Sequence, residues 1–146
     1  MSEFYVKVKG IKEVETALDD MAARMDKAMA QVAIKAAQTI EKNAKKEFRG
    51  ESSAPPRPPR PTRRTGNLRD SIHSEGPTSE GNSTYSAKVG PTLLYGRRVE
   101  LGYEGGGGGR GHQSTRKFPY LSTGFEKSRD DIKALYHREI LKAVRL

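Results

Sequence analysis

Arginine is the residue type with the clearest chemical role in this sequence, and it is concentrated in the proline-rich stretch of residues 54–69. Five arginines lie there among five prolines: Arg57, Arg60, Arg63, Arg64 and Arg69. Guanidinium groups form bidentate hydrogen bonds with carboxylates and also neutralise phosphates. No aromatic residue interleaves with them, so a contact with nucleic acid would be electrostatic and independent of base sequence. The stretch therefore predicts binding to an acidic protein surface or to a phosphate backbone.

The sequence lacks the spacings that catalysis or metal binding requires. Its three histidines, His73, His112 and His137, are far apart, and none has a partner at metal-ligand spacing. A dinucleotide-binding pattern is satisfied formally by Gly106, Gly108 and Gly111, but the strand before it and the helix after it are missing. We therefore expect no enzymatic activity, no cofactor and no metal.

Glu100 is the carboxylate with the most distinctive surroundings. It lies between apolar Val99 and Leu101 in the segment YGRRVELGY, residues 95–103. It could pair with Arg97 or Arg98, or with an arginine of the proline-rich stretch. We favour pairing within the fold over contact with a partner.

Composition fits one modest domain spanning residues 1–146. The chain has 34% hydrophobic residues, no cysteine and a net charge of +9. Neither a signal peptide nor an apolar run long enough for a membrane span is present, and the lack of cysteine fits a reducing cytoplasm. We expect residues 50–65 to form an extended proline- and arginine-rich arm, and residues 103–117 a glycine-rich loop.

Periodicity outlines the elements that must position these side chains. A short strand is expected at residues 4–9, followed by a long amphipathic helix, or two helices with a bend near residues 22–26, ending before Gly50. Two strands at residues 72–79 and 84–90 form a hairpin. The expected apolar stripe of the long helix comprises Ile11, Val14, Leu18, Met21, Met25, Ala28, Val32, Ala36, Ile40, Ala44 and Phe48.

Two shorter helical segments and a final helix complete the outline. Residues 66–72 are expected to form a helical turn, with Thr65 as N-cap and Gly66 in a conformation closed to other residues. Leu68 and Ile72 would anchor this turn to the core, and residues 95–101 would form a short helix ending at Gly102. A final helix begins at Ser122. Its expected apolar face comprises Phe125, Ile132, Leu135, Tyr136, Ile140 and Val144.

The predicted fold class is therefore α+β. A small antiparallel β-sheet carries a long N-terminal helix and a C-terminal helix packed on one face, with extended proline-rich and glycine-rich loops.

Four segments in a fixed order resemble a known family. They are RRTGNLRDSI at residues 63–72, YSAKVGP at 85–91, YGRRVELGY at 95–103 and FPYLSTGFEKS at 118–128. This order resembles the small neck proteins of long-tailed bacteriophages, variously called head–tail joining, tail-completion or minor tail components. The resemblance covers most of the chain.

The resemblance implies a structural virion protein, assembled in the host cytoplasm, that forms a ring at the head–tail junction. The expected partners are further copies of itself in a hexamer or dodecamer, a head-side connector or stopper protein, and a tail tube or tail terminator protein. The central channel would pass the genome, with non-specific DNA contact possible and no membrane involved. Subunit or partner contacts are expected at Arg57, Arg60, Arg63, Arg64, Arg69, Glu100, Tyr95, Phe118 and Tyr120.

Two further expectations concern charge. The acidic start of the long helix, with Glu13, Glu15, Asp19 and Asp20, would face the basic loop of a neighbouring subunit. The alternative function is that of a basic accessory protein that binds nucleic acid through the arginine-rich loop of residues 57–69.

Overall fold

The computed structural model describes residues 5, 7, 9–48, 66–102 and 117–145. Within these residues an α+β fold is present, which confirms the predicted class. The elements are α1 (Ile11–Lys46), α2 (Asn67–Asp70), β1 (Ile72–Gly81), β2 (Thr84–Pro91), α3 (Gly96–Leu101) and α4 (Tyr120–Val144). The arm predicted at residues 50–65 lies outside the described residues. So do residues 103–116 of the predicted glycine-rich loop and residues 4, 6 and 8 of the predicted first strand.

Helix α1 is one continuous helix of 36 residues, so the alternative of two helices with a bend does not apply. Its sequence contains no glycine or proline and is rich in alanine, lysine, glutamate and methionine, which are strong helix formers. Gly10, with φ at 93°, precedes the first turn, and Lys45 and Lys46 lie in the last turn. Cations at that end interact favourably with the helix dipole.

The hairpin of β1 and β2 is confirmed, with a tighter turn than predicted. The strands pair antiparallel from Ile72 opposite Pro91 to Gly81 opposite Thr84. Only Asn82 and Ser83 connect them, both with positive φ, as a two-residue hairpin turn requires. Strand β1 therefore extends two residues beyond its predicted end at Ser79.

The hairpin lies along α1 and is fixed by two hydrogen-bonded side-chain contacts. The carboxylate of Glu41 accepts from the backbone N–H and the hydroxyl of Ser74, at 2.8 and 2.7 Å, and from Lys45 Nζ at 2.6 Å. Burial opposes ionisation of Glu41, but the bonds from Lys45 and Ser74 outweigh it and hold the pKa of this carboxyl below its ordinary value. Near the other end of the hairpin, the Tyr85 hydroxyl donates to Asp26 Oδ2 at 2.6 Å.

Helix α4 packs antiparallel against α1 through a stripe of mostly small or polar residues. The stripe comprises Tyr120, Gly124, Ser128, Leu135, Glu139 and Ala143, all buried. Gly124 allows the closest approach, because a Cβ there would lie 2.6 Å from Ala44 N. Ser128 Oγ accepts a hydrogen bond from Asn43 Nδ2 at 2.9 Å.

The apolar face predicted for α4 is therefore wrong for three of its six members. Leu135 is buried, but Phe125, Tyr136 and Val144 are exposed. Small side chains let the two helices approach closely, and the larger apolar residues then lie on the flank of the contact. The helix also begins at Tyr120, two residues before the predicted start.

The core lies at the C-terminal end of α1, where the shorter elements converge. Ala44, Ile72 and Tyr120 are almost completely buried. Residues that pack around them are Phe48, Leu68, Val89, Val99 and Leu121. Each helix and strand therefore contributes at least one side chain to a single cluster.

Candidate functional site

The four sequence segments that carry the phage-family resemblance meet around Tyr120. Its ring packs against Phe48, with ring centroids 5.0 Å apart. Its hydroxyl donates to the backbone carbonyl of Gly96 at 3.2 Å, which joins α4 to α3. Ile72, fully buried, connects the first segment to the same cluster. We call these contacts the motif cluster.

Gly96 is required by the packing of the motif cluster. A Cβ at this position would lie 2.4 Å from Pro91 Cγ and 3.1 Å from Leu68 Cδ1. The start of α3 is therefore in close contact with both the end of β2 and the turn of α2. This tight packing explains why a glycine follows Tyr95 in the third segment.

The first segment enters the cluster through the short helix α2. Gly66, with φ at 78°, is the N-cap, so the prediction that Thr65 caps the turn is wrong by one residue, and Thr65 itself lies outside the described residues. A positive φ at this position favours glycine, as predicted. Leu68 is half-buried against the core and Ile72 is fully buried, which confirms both as anchors.

Glu100 caps the N-terminus of α4. Its Oε2 accepts from the backbone N–H of Leu121 at 2.9 Å, and its Oε1 accepts from the N–H of Ser122 at 3.0 Å and from the Ser122 hydroxyl at 2.7 Å. These amides belong to the second and third residues of the helix, which an N-cap side chain normally satisfies. Pro119, at the cap position, has no side chain that could do so.

A partner within the fold was predicted for Glu100, and the structure supplies one. It is a helix terminus, which also favours negative charge through its dipole. Sequence reasoning considered only arginine partners and missed this one. The signal available was the proline before Tyr120, which marks a helix start that lacks a capping side chain of its own.

The Tyr120 hydroxyl is held in its neutral form. Burial raises the pKa of Tyr120, and the nearby charge of Glu100 raises it further. Tyr120 is only 1% exposed, so the structure places it in the core of the subunit.

Other side chains expected at an interface differ in their exposure. Tyr95 is exposed, whereas Phe118 is half-buried and its N–H donates to the carbonyl of Val99 at 2.8 Å. Arg69 is partly exposed, with Nε 3.8 Å from Asp70 Oδ1. Gly102 ends α3 with φ at 77°, as predicted. The remaining arginines lie outside the described residues: Arg57, Arg60, Arg63 and Arg64.

A basic groove between α1 and α4 was not predicted. It has a volume of about 590 Å³ and is lined by four cations and one carboxylate: Lys35, Lys42, Lys46, Arg138 and Asp131. The lysines recur at intervals of seven and four residues, so they form one row along α1. Sequence analysis missed it because these lysines are separated by alanines and polar residues, and no compact basic motif marks the row.

Glu139 borders this groove and neutralises part of its charge. Its Oε1 lies 3.4 Å from Lys35 Nζ and 3.5 Å from Lys142 Nζ. Burial opposes ionisation of Glu139, but the hydrogen bond from Lys35 and the charge of Lys142 outweigh it and lower the pKa of this carboxyl. Lys42 and Lys46 are both exposed, and Lys46 Nζ donates to Asn43 Oδ1 at 3.4 Å.

The part of the chain that the structure describes contains neither a metal site nor a membrane span. No three histidine, aspartate or glutamate side chains there form a group that could hold a metal ion. No described helix is both long and apolar enough to cross a membrane.

The family assignment agrees with this geometry. Residues 12–102 match the family described as "Bacteriophage HK97-gp10, putative tail-component". The chain belongs to this HK97-gp10-like family. The match covers well over half of the chain and includes α1, the hairpin and α3, up to the glycine that ends α3. No curated protein and no solved structure matches the chain significantly.

Membership confirms the resemblance to phage neck and tail components that the four segments indicated. It supports a role as a structural tail component of a bacteriophage, associated with the virion. Within the matched range, the motif cluster explains why several residues of the first three segments are needed. Gly66, Ile72, Gly96 and Glu100 each fix one element to the next.

Proposed function

We propose that the protein is a structural subunit, folded as one domain, of a homo-oligomeric ring at the phage head–tail junction. The ring would join a head-side connector or stopper protein to the tail tube or tail terminator protein, and its channel would pass the genome. The observation that carries this proposal is membership of the tail-component family over residues 12–102. A hexamer or a dodecamer fits such a ring.

The distribution of contacts supports a structural role. The polar groups of the motif cluster bond within the subunit: Glu100 with the start of α4, and Tyr120 with Gly96. Among the described residues, no buried side-chain nitrogen or oxygen atom lacks a hydrogen-bond partner. The cluster therefore holds the subunit in shape, while exposed apolar and charged surfaces remain for assembly.

The test is a phage in which the gene for this protein carries a stop codon. We expect filled heads and free tails that fail to join, and restoration of infectious particles when the protein is supplied from a plasmid. Imaging of the restored particles should show a ring of density at the junction. Complete, infectious tailed particles that lack the protein would overturn the proposal.

The basic groove favours a second candidate function, contact with nucleic acid. Lys35, Lys42 and Lys46 lie in one row, and cations spaced along a helix can each neutralise a phosphate. Such binding would be independent of base sequence and would weaken steeply with salt. It differs from the earlier alternative, which relied on the arginine-rich loop of residues 57–69.

Duplex DNA binding measured at increasing salt tests this candidate. Lys42→Glu should weaken binding strongly, whereas Lys88→Glu on the hairpin makes the same change of two charges away from the groove and should have little effect. Equal binding by all three proteins would exclude the groove as the site.

A further inference from the structure

The first part of α1 projects beyond the rest of the described subunit. Near the C-terminal end of α4, the Arg145 carbonyl accepts a hydrogen bond from Arg24 Nη1 at 3.0 Å. The hairpin contacts α1 nearby, where Tyr85 bonds to Asp26. Every residue from 11 to 20 is exposed. This projecting segment, residues 11–20, is about 15 Å long.

The projecting segment is amphipathic. Ile11, Val14 and Leu18 follow one another at intervals of three and four residues, so they share a face, and they are 54–60% exposed. Glu15 and Asp19 lie beside this stripe. In total the segment carries one lysine and four carboxylates, a net charge of −3, in a chain whose net charge is +9. An exposed apolar stripe of this kind indicates a binding face.

A surface of matching character lies on α4. Phe125, Tyr136 and Val144 are 41–48% exposed, and the half-buried Ile132 and Ile140 lie between them. We call this surface the α4 row. The whole row is about 28 Å long, and its part from Tyr136 to Val144 is about 12 Å long, close to the roughly 10 Å from Ile11 to Leu18.

Two exposed cations lie beside the α4 row, on the same flank as the exposed carboxylates of Glu126 and Asp130. Arg129 and Lys133 are exposed next to the row, on the same side of the helix as Tyr136. The guanidinium of Arg129 is 3.2 Å from Glu126, but both groups are exposed, so this ion pair is readily exchanged for another. Arg129 and Lys133 are therefore the cations with which the acids beside the apolar stripe can pair.

We infer that the projecting segment of one copy docks on the α4 row of a second copy. Contact within one chain is excluded, because α1 is a single helix and α4 meets it only from Arg24 onwards. Two projecting segments would not pair with each other, since their carboxylates would repel. The contact therefore joins two different faces in head-to-tail fashion, which closes a ring when the rotation permits. This inference rests on the proposed ring.

Single charge insertions on either face test the contact. Leu18→Glu places a charge in the apolar stripe and should weaken self-association about 100-fold. Thr16→Glu adds the same charge to the opposite side of the segment and is the matched control, with self-association expected to change less than about threefold. Molar mass as a function of concentration is the readout, and circular dichroism checks that each variant retains its helices.

A mixing experiment identifies the second face. Tyr136→Glu should weaken self-association to a similar extent on its own, because its row is blocked. An equal mixture of Leu18→Glu and Tyr136→Glu retains one intact segment and one intact row, so it should form dimers and nothing larger. A mixture that stays monomeric would overturn the pairing of these faces.

Two further outcomes would also overturn the inference. One is a wild-type protein that remains monomeric at high micromolar concentration, and the other is a Leu18→Glu variant that assembles like wild type. Neither decides the proposed function, because the stop-codon phage tests the junction role without reference to these faces. If Leu18→Glu still forms rings, the proposed function stands, and the subunits contact each other through another surface.

Discussion

Removal of the Glu100 carboxylate should destabilise the start of α4. Glu100→Ala removes the acceptor of two backbone N–H groups and of the Ser122 hydroxyl. Loss of a helix cap costs about 1 kcal/mol, and loss of a negative charge at a helix N-terminus costs about 0.3–1 kcal/mol. With the hydroxyl left unpaired, we expect the free energy of unfolding to fall by about 2 kcal/mol.

Glu100→Gln separates the two contributions. The amide oxygen can still accept a backbone hydrogen bond, but the charge is lost, so the expected decrease is about 1 kcal/mol. Glu126→Ala is the matched control, because this carboxylate lies on α4 but forms only an exposed ion pair with Arg129. The control should change stability by less than about 0.5 kcal/mol.

Urea unfolding gives the free energies, and thermal unfolding should show Glu100→Ala melting about 4–8 °C below wild type. Amide hydrogen exchange should show lost protection at Leu121 and Ser122 specifically. The reasoning is refuted if Glu100→Ala unfolds like Glu126→Ala. It is also refuted if the two amides keep their protection while high salt removes the difference, since that pattern indicates an ion pair instead of a cap.

Two more predictions concern packing and pH. Gly124→Ala should lower the free energy of unfolding by about 2–3 kcal/mol, because the new Cβ would lie 2.6 Å from Ala44 N. Gly90→Ala is the control and should be nearly neutral, because the space around Gly90 is open. Urea unfolding measures both variants, and equal stabilities would contradict the close approach of the two helices. Because the pKa of Glu41 is lowered in the folded state, its contribution to stability is present above about pH 4.3 and is lost as the pH falls through the folded pKa. Glu41→Gln should therefore be less stable than wild type at neutral pH, with the difference shrinking in acid, and a difference independent of pH would contradict this account.

The elements themselves were largely predictable from the sequence. Apolar periodicity identified both long helices, and the Asn82–Ser83 region with its alternating flanks identified the hairpin. These signals are local, since a helix or a two-residue turn is determined mainly by residues that are close in the chain. The end of α3 at Gly102 was predictable for the same reason.

The packing of α4 could not be read from hydrophobicity. Gly124, Ser128 and Ala143 face α1 because they are small, and a stripe of small residues has little hydrophobic signal. The larger apolar side chains, such as Phe125, dominate the pattern but lie on the flank. Volume, rather than apolar character, decided which face packs.

The partner of Glu100 could not be predicted from the sequence either. The residue and the amides that it caps are about twenty positions apart in the sequence. Composition suggested arginine, since arginines are abundant nearby in the sequence. The structure shows that the backbone amides at a helix N-terminus can bind a carboxylate in place of an arginine.

The continuity of α1 has a mechanical consequence. With 36 residues it is about 54 Å long, and it runs from the projecting segment to the motif cluster without a break. A tilt of about 5° imposed at one end would displace the other end by roughly 5 Å if the helix moves as a rod. Force applied to the projecting segment at a subunit boundary would therefore be transmitted along α1 to the residues that hold α3 and α4 together.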